Sequence, residues 1–226
     1  TGARGQARPV KCSLRWKARS TGTGPRTPTR QRIPLAANRD GKLQAMQHVS
    51  ETLTSTCGHF IESCGARSTG IVYESPAIDI DELIYPVNVA TPTFMRAPGE
   101  CPGTYALESA MDELSYALKM DPLQLRLSNY NEKHPTKDVP FSAKFLKDCY
   151  QIGAEKFGWA RRQAEPKSMR DGDLLLGWGM ATATYPAHTM RAAAQVPLKA
   201  SGIAVVHCAP HALGHAAADT FTEISS

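Results

Sequence analysis

Apolar and polar residues along the chain predict strands towards both ends and helices in the middle. Two apolar runs, 31–35 and 43–53, flank the turn Asn-Arg-Asp-Gly at 38–41. Asp-Gly between two such runs is a strong signal for a β-hairpin. Further short strands are predicted at 9–14, 71–73, 83–89, 174–184, 192–198 and 203–208.

The clearest helical pattern lies between residues 105 and 119, where apolar side chains recur at a spacing of 3.6 residues. Thr104 is the expected N-cap, and Glu108 and Asp112 suit the N-terminal half of a helix dipole. The apolar stripe consists of Leu107, Ala110, Met111, Leu114, Ala117 and Leu118. We expect this stripe to face the core.

Two more helices are expected after the first. Asp121 followed by Pro122 is a capping residue with a proline in the first turn, which predicts a helix start. The third helix is expected to begin after a Ser142 cap and to end at Gly158. Its predicted buried face consists of Phe145, Leu146, Cys149 and Ile152.

The order of these elements is strands, a cluster of helices, and strands again. This order predicts an α+β fold rather than an alternating α/β fold. The polar stretch 161–173 is the best candidate for a linker. We therefore expect one domain over residues 1–160, a linker over 161–173 and the start of a second domain over 174–226.

Composition is that of an ordinary globular protein, with 226 residues of which 42% are apolar and 21% charged. The net charge of +5 is uneven, because residues 1–42 hold eleven Lys or Arg and one acid, Asp40. Such a surface either faces solvent or protein, or binds phosphate groups of a nucleic acid or a nucleotide-bearing cofactor. Trp16 is the only aromatic residue there, which argues against base stacking.

Candidate metal ligands are few. The six cysteines form no CxxC pair and no Cys/His cluster with zinc spacing, so we expect reduced thiols and no protein-ligated metal. His207, His211 and His215 could share a helix face, but Pro210 interrupts a continuous helix. No apolar run reaches the ~18 residues of a membrane span. The sequence does not begin with Met, and we expect it to be an excerpt, or a mature or truncated product.

The most informative segment is the Gly- and Pro-rich stretch 91–103, which leads directly into the strongest helix. A turn of this kind lets backbone N–H groups approach an anion, and the helix dipole favours negative charge there. Arg96 lies in the turn and carries five donors suited to a phosphate or oxo group. The alternative is a tight loop in which Arg96 pairs with a carboxylate such as Glu100.

The sequence Thr-Phe-Met-Arg-Ala-Pro-Gly-Glu at 93–100, with Ala-Leu-Glu-Ser-Ala-Met-Asp-Glu-Leu at 106–114, closely resembles the molybdopterin-binding large subunits of the xanthine dehydrogenase and aldehyde oxidase family. Residues 120–130 resemble the next helix of that family. The resemblance covers about 8–206 and looks most like bacterial aldehyde oxidoreductases. It implies parts of two molybdenum cofactor-binding domains.

The resemblance also implies a chemistry. Enzymes of this family oxidise aldehydes or N-heterocycles: a metal-bound hydroxide attacks the substrate carbon and hydride passes to the molybdenum centre. The implied cofactor is a molybdenum–pterin, in its simple or its cytosine dinucleotide form. A [2Fe–2S] cluster and FAD on partner subunits or domains are expected to remove the electrons.

For the site, the resemblance implies that Arg96 contacts the cofactor. Neighbours expected to line the cofactor or substrate side are Phe94, Ala97, Gly99 and Glu100. The family's upstream glycine-rich motif and its downstream general-base glutamate do not occur in these residues, and 207–220 departs from the family's cofactor loop. We therefore assign no catalytic residue and expect the isolated chain to be inactive.

Two other readings stay open at this point. The chain could be a non-catalytic structural remnant of the family, or a basic nucleic-acid-binding protein that uses residues 1–42. The expected partners are the rest of the large subunit and a small aldehyde or heterocycle, with no membrane. The expected compartment is the cytoplasm, or the periplasm if the chain is exported with a partner subunit.

Overall fold

The structure is a computed structural model that describes residue 10 and residues 13–135, 137–186, 191–208 and 217–225. The chain divides into two compact units, Thr1–Thr184 and Tyr185–Ser226. The domain boundaries expected around 161–173 stay a prediction. Among the described residues, no helix combines the length and the apolar character that crossing a bilayer requires.

The first unit contains both helices and strands, with a cluster of helices after the main strands, which confirms the α+β class. Its helices are α1 (Trp16–Gly22), α2 (Cys64–Val72), α3 (Glu100–Leu118), α4 (Pro122–Ser128) and α5 (Leu146–Phe157). Its strands are β1 (Thr29–Arg32), β2 (Leu35–Ala37), β3 (Leu43–Ser55), β4 (Ile78–Val87), β5 (Arg170–Asp171) and β6 (Leu174–Leu175). In the second unit, α6 covers Ala217–Ser225.

The long strand β3 is the centre of the main sheet. β1 and β2 pair with it in antiparallel fashion along one edge, and β4 pairs with it in parallel fashion along the other. A parallel pair needs a crossover, which α2 supplies. The predicted hairpin between β2 and β3 is confirmed: Gly41 donates its N–H to Asn38 O at 3.0 Å and has a φ of +79°.

Helices α2 and α3 cover one face of this sheet and form the core. The buried apolar cluster consists of Leu43, Met46, Val72, Tyr73, Leu107, Met111 and Leu125. Leu107 and Met111 confirm the stripe predicted for α3. The two helices approach so closely that a Cβ on Gly103 would lie 2.2 Å from Cys64 O. Glycine at this position therefore sets the distance between α2 and α3.

Several local predictions were wrong. Residues 71–73 end α2 instead of forming a strand, because a three-residue apolar run does not distinguish the two structures. Helix α3 begins at Glu100, and Thr104 lies inside it, where its hydroxyl donates to Glu100 O at 2.5 Å. The first turn of α3 was missed because its Gly- and Pro-rich sequence shows no helical period of apolar residues.

The third predicted helix is also different from expectation. α5 begins at Leu146 with Phe145 as N-cap, and Tyr150 is its buried side chain. Phe145 is 70% exposed and Ile152 is 52% exposed, so the apolar face predicted to be buried is open in this chain. The end of α5 at Gly158, in the left-handed conformation, is confirmed.

The strands predicted near the end of the chain are short. Within 174–184 only β6 is a strand, and it pairs with β5. In place of the strands predicted at 192–198 and 203–208 there are two antiparallel bridges, Gln195 with His207 and Leu198 with Ala204, on either side of Gly202, whose φ is +80°. Half of the strand predicted over 9–14 lies outside the described residues, and the described residues 10, 13 and 14 are not in a strand.

Candidate functional site

The segment between β4 and α3 forms a tight turn whose conformation depends on two residues with positive φ. Ala97 has a φ of +54° and Gly99 a φ of +90°. A Cβ on Gly99 would lie 2.5 Å from Ser63 O, so the turn packs directly on the start of α2. The turn ends where α3 begins, at Glu100, and the anion-binding role expected of this loop stays a prediction.

Arg96 lies on the exposed side of this turn. The alternative ion pair with Glu100 is wrong: Glu100 is buried, and its Oε1 accepts from the guanidinium of Arg67 at 2.9 Å. Within the described parts of the chain, no carboxylate forms an ion pair with Arg96. The guanidinium of Arg96 therefore faces outward with its charge available to a ligand.

The backbone of the turn is held by Arg26, which comes from the loop before β1. The guanidinium of Arg26 donates to Arg96 O at 2.5 Å and to Ala97 O at 3.3 Å. It also pairs with the buried carboxylate of Glu62 at 2.5 Å, and Glu62 Oε1 accepts from Gly99 N at 3.0 Å. Sequence reasoning missed both residues, because neither belongs to a periodic element or to a motif.

The other residues expected near the cofactor lie on two sides of the turn. Phe94 is 74% exposed and packs edge-on against the ring of Phe60 at 5.1 Å between centroids. Gly99 and Glu100 are buried behind the turn, where they contact Glu62 and Arg67. Phe94 and Arg96 thus share the open side, while the roles predicted for Ala97, Gly99 and Glu100 stay predictions.

A second polar cluster lies beneath α3. Glu108 accepts from Arg126 Nε at 2.7 Å, from Thr182 N at 2.8 Å and from the hydroxyl of Tyr73. Burial, with the nearby charge of Glu108, raises the pKa of Tyr73 well above its usual value. Arg126 also donates to Asp112 at 2.9 Å. Glu108 and Asp112, predicted to serve the helix dipole, instead bind an arginine of α4.

Beside this cluster, an apolar groove of about 350 Å³ lies between α5 and the segment 179–183. Leu123, Leu146, Phe157 and Trp159 contribute apolar side chains to it. Tyr150 bounds the groove and hydrogen-bonds to the hydroxyl of Thr182. Its lining contains no charged side chain, so this groove offers no cationic partner for an anionic ligand.

The histidine and cysteine candidates do not form a site in the described structure. Cys57 is exposed and Cys64 is buried, and burial raises the pKa of the Cys64 thiol to about 12. His207 is exposed, whereas His211 and His215 lie outside the described residues. In the part of the chain that the structure describes, no three His, Cys, Asp or Glu side chains are grouped to hold a metal ion.

The fold and the turn define an α+β domain that offers a cationic side chain next to the start of a helix. A family model for the molybdopterin cofactor-binding domain matches residues 1–130, which is more than half of the chain. The chain therefore belongs to the molybdopterin cofactor-binding domain family. This confirms the resemblance drawn from 93–100 and 106–114.

Known relatives agree with this assignment. The chain is 31% identical over 205 residues to the aldehyde oxidoreductase molybdenum-binding subunit PaoC of Escherichia coli K12, covering 90% of this chain and 28% of that subunit. It is 28% identical over 161 residues to the putative xanthine dehydrogenase molybdenum-binding subunit XdhA of the same strain, covering 69% of this chain and 21% of that one.

A solved structure matches the fold. The aldehyde oxidoreductase from Desulfovibrio gigas has a TM-score of 0.66 to this chain at 24% identity, over 86% of this chain and 22% of that one. The chain thus spans less than a third of the length of each of these relatives.

Proposed function

We propose that this chain forms part of the molybdenum–pterin site of an oxidoreductase large subunit that acts on aldehydes or N-heterocycles. The observation that carries the proposal is the exposed guanidinium of Arg96, in a tight turn at the start of α3. A planar arginine fork suits the anionic oxygens of a pterin cofactor. The names of the relatives, molybdenum-binding subunits of aldehyde oxidoreductase and xanthine dehydrogenase, support the same assignment.

The residues of the turn fit such a group. The backbone carbonyls of Arg96 and Ala97 accept hydrogen bonds from Arg26. An anionic ligand at the turn would therefore contact the guanidinium of Arg96 and not these carbonyl oxygens. Phe94 and Met95 add exposed apolar surface on the same turn. When bound, the cofactor supplies the redox chemistry. Arg96 would hold and orient it, and Phe94 would shield one side from water.

Several finer features belong to the same proposal. The cofactor has either the simple or the cytosine dinucleotide form, and electrons leave through a [2Fe–2S] cluster and FAD on partner subunits. The chain by itself completes no turnover, because these residues include no general-base glutamate in a glycine-rich setting. The proposed compartment is the cytoplasm, with the periplasm as the alternative for export together with a partner.

Cofactor content tests the proposal directly. The chain would be purified from a host that makes the molybdenum cofactor, with its partner subunits co-expressed. Molybdenum would be measured by mass spectrometry and pterin by the fluorescence of its oxidised form. Loss of one charge-assisted contact should lower retention by about tenfold in Arg96→Ala. Arg39→Ala, in the exposed β2–β3 turn, is the matched control and should retain the wild-type content.

Two results would count against the proposal. If wild-type protein carries neither molybdenum nor pterin, the chain is a structural member of the family that does not bind the cofactor. If Arg96→Ala and Arg39→Ala retain the same content as wild type, then Arg96 is not a cofactor contact.

A further inference from the structure

Arg26 contacts the candidate loop at two successive carbonyl groups. One nitrogen of its guanidinium donates to Arg96 O at 2.5 Å. The other donates to Ala97 O at 3.3 Å and to the carboxylate of Glu62 at 2.5 Å. The planar fork of an arginine can reach all three acceptors at once, whereas an ammonium group cannot span them in this way.

Glu62 links this arginine to the far end of the turn. Its side chain is fully buried, and its Oε1 accepts both from Arg26 and from Gly99 N at 3.0 Å. Its other oxygen, Oε2, is buried with no hydrogen-bond partner among the described residues. A buried carboxylate of this kind needs a close cation, and Arg26 is the cation that it contacts.

The turn requires such support because of its backbone. Ala97 has a φ of +54°, a conformation that a residue with a Cβ adopts at a cost. Arg26 binds the carbonyl on each side of the Ala97 nitrogen, and Glu62 binds the N–H of Gly99. These contacts stabilise the backbone conformation in which Arg96 is exposed.

We propose that Arg26 and Glu62 are positioning residues, here called the Arg26–Glu62 clamp, which fix the 96–99 turn so that Arg96 is presented to the anionic groups of the cofactor. The last step rests on the proposed function. The stabilisation of the turn by Arg26 and Glu62 does not rest on the proposed function, because all of its contacts lie within the chain.

The first experiment measures amide hydrogen exchange in the chain without cofactor. Two amides report on the turn: Gly99 N, which donates to Glu62, and Cys101 N, which donates to Ala97 O at 3.0 Å. In Arg26→Lys the charge opposite Glu62 is kept but the fork is lost. Exchange of both amides should then rise about tenfold, the effect of one lost charge-assisted hydrogen bond.

The control separates this effect from a general loss of stability. Arg30→Lys changes a highly exposed arginine whose nearest carboxylate, Glu51, is 3.8 Å away, and it should leave both amides unchanged. The amide of Met111, in the middle of α3, should stay protected in every variant. Arg26→Met, which also removes the charge, should accelerate amide exchange in the turn further. If it fails to fold by circular dichroism, Arg26→Lys and Glu62→Gln decide the question.

The second experiment measures pterin and molybdenum content in the same variants, produced with the partner subunits. The clamp predicts a loss in Arg26→Lys at unchanged far-ultraviolet circular dichroism. The proposed clamp would be overturned if amide exchange in the turn were as slow in Arg26→Lys and Glu62→Gln as in wild type. Faster exchange with undiminished cofactor content would overturn its positioning role. A wild-type chain without cofactor would refute the proposed function, while the exchange data would still decide the clamp.

Discussion

Glu108 of α3 and Arg126 of α4 form an ion pair, 2.7 Å between Oε2 and Nε, in which the side chains are 5% and 0% exposed. The same carboxylate accepts from Thr182 N, so a residue 74 positions away is tied to the pair. Arg126 donates in addition to Met180 O at 3.3 Å. The pair therefore links two helices and anchors the 180–182 segment against them.

Removing the charge of Glu108 should be strongly destabilising. In Glu108→Gln the guanidinium of Arg126 stays buried and loses its main counter-charge, at a cost of about 3 kcal/mol. Glu113→Gln changes an exposed glutamate of the same helix and should cost little. Urea titration gives both free energies of unfolding. Equal values for the two variants would show that the buried pair does not stabilise the fold.

Glycines 103 and 153 provide a second test, because both lie inside helices but in different surroundings. A Cβ at Gly103 would lie 2.2 Å from Cys64 O, whereas one at Gly153 meets nothing within 4 Å. Gly103→Ala should force α2 and α3 apart and cost about 2 kcal/mol. Gly153→Ala should raise the free energy of unfolding by about 0.5 kcal/mol, since alanine favours the helix. A Gly103→Ala variant that is as stable as wild type would contradict the close approach of α2 and α3.

The parts of the fold that sequence reasoning predicted correctly are those set by local chemistry. The Asp40-Gly41 turn, the Asp121 cap and the Gly158 stop each depend on the conformational preference of one or two residues. The stripe of α3 has a clear period. The end of α2 at Val72 was mistaken for a strand, because its apolar run was too short to show a period.

The candidate site was predicted only in part, for a different physical reason. Arg96 stands in a motif, so its position could be found along the chain. Arg26 and Glu62 are 70 and 34 residues away from it, and only the fold brings them to the turn. The prediction of the buried face of α5 was wrong because Phe145 and Ile152 are apolar residue types that usually lie in a core. Whether they are exposed depends on what packs against α5, which the local sequence does not show.

The cap of α4 offers a test of a confirmed prediction. Asp121 Oδ1 accepts from Leu123 N at 2.8 Å and from Gln124 N at 3.2 Å. Asp121→Ala removes both contacts, together with the hydrogen bond that Oδ2 accepts from Trp159 Nε1 at 3.1 Å, and should lower the free energy of unfolding by about 1 kcal/mol. Asp121→Asn keeps an oxygen acceptor and should retain most of the stability. Thermal denaturation compares the three proteins, and an alanine variant as stable as the asparagine variant would show that the cap contributes nothing.

His48 of β3 should make the fold sensitive to acid. Its ring is fully buried: Nε2–H donates to Gln31 Oε1 at 2.8 Å, and Nδ1 accepts from the hydroxyl of Thr69 at 2.6 Å. Desolvation lowers its pKa from 6.5 to about 4. The unfolded chain therefore binds a proton below pH 6.5 that the folded chain takes up only near pH 4.

Because the folded chain binds this proton less readily than the unfolded chain, acid lowers the free energy of unfolding. The contribution of His48 to stability is fully present above pH 6.5 and is lost as the pH falls from 6.5 towards 4. The total loss is about 3 kcal/mol. Free energies of unfolding measured across this range should fall more steeply in wild type than in His48→Gln. His59→Gln, at an exposed histidine, should keep the wild-type slope. A folded-state imidazole resonance of His48 that titrates near pH 6.5 would contradict the prediction, because the pKa would then be the same in the folded and the unfolded chain and His48 would not make stability depend on pH.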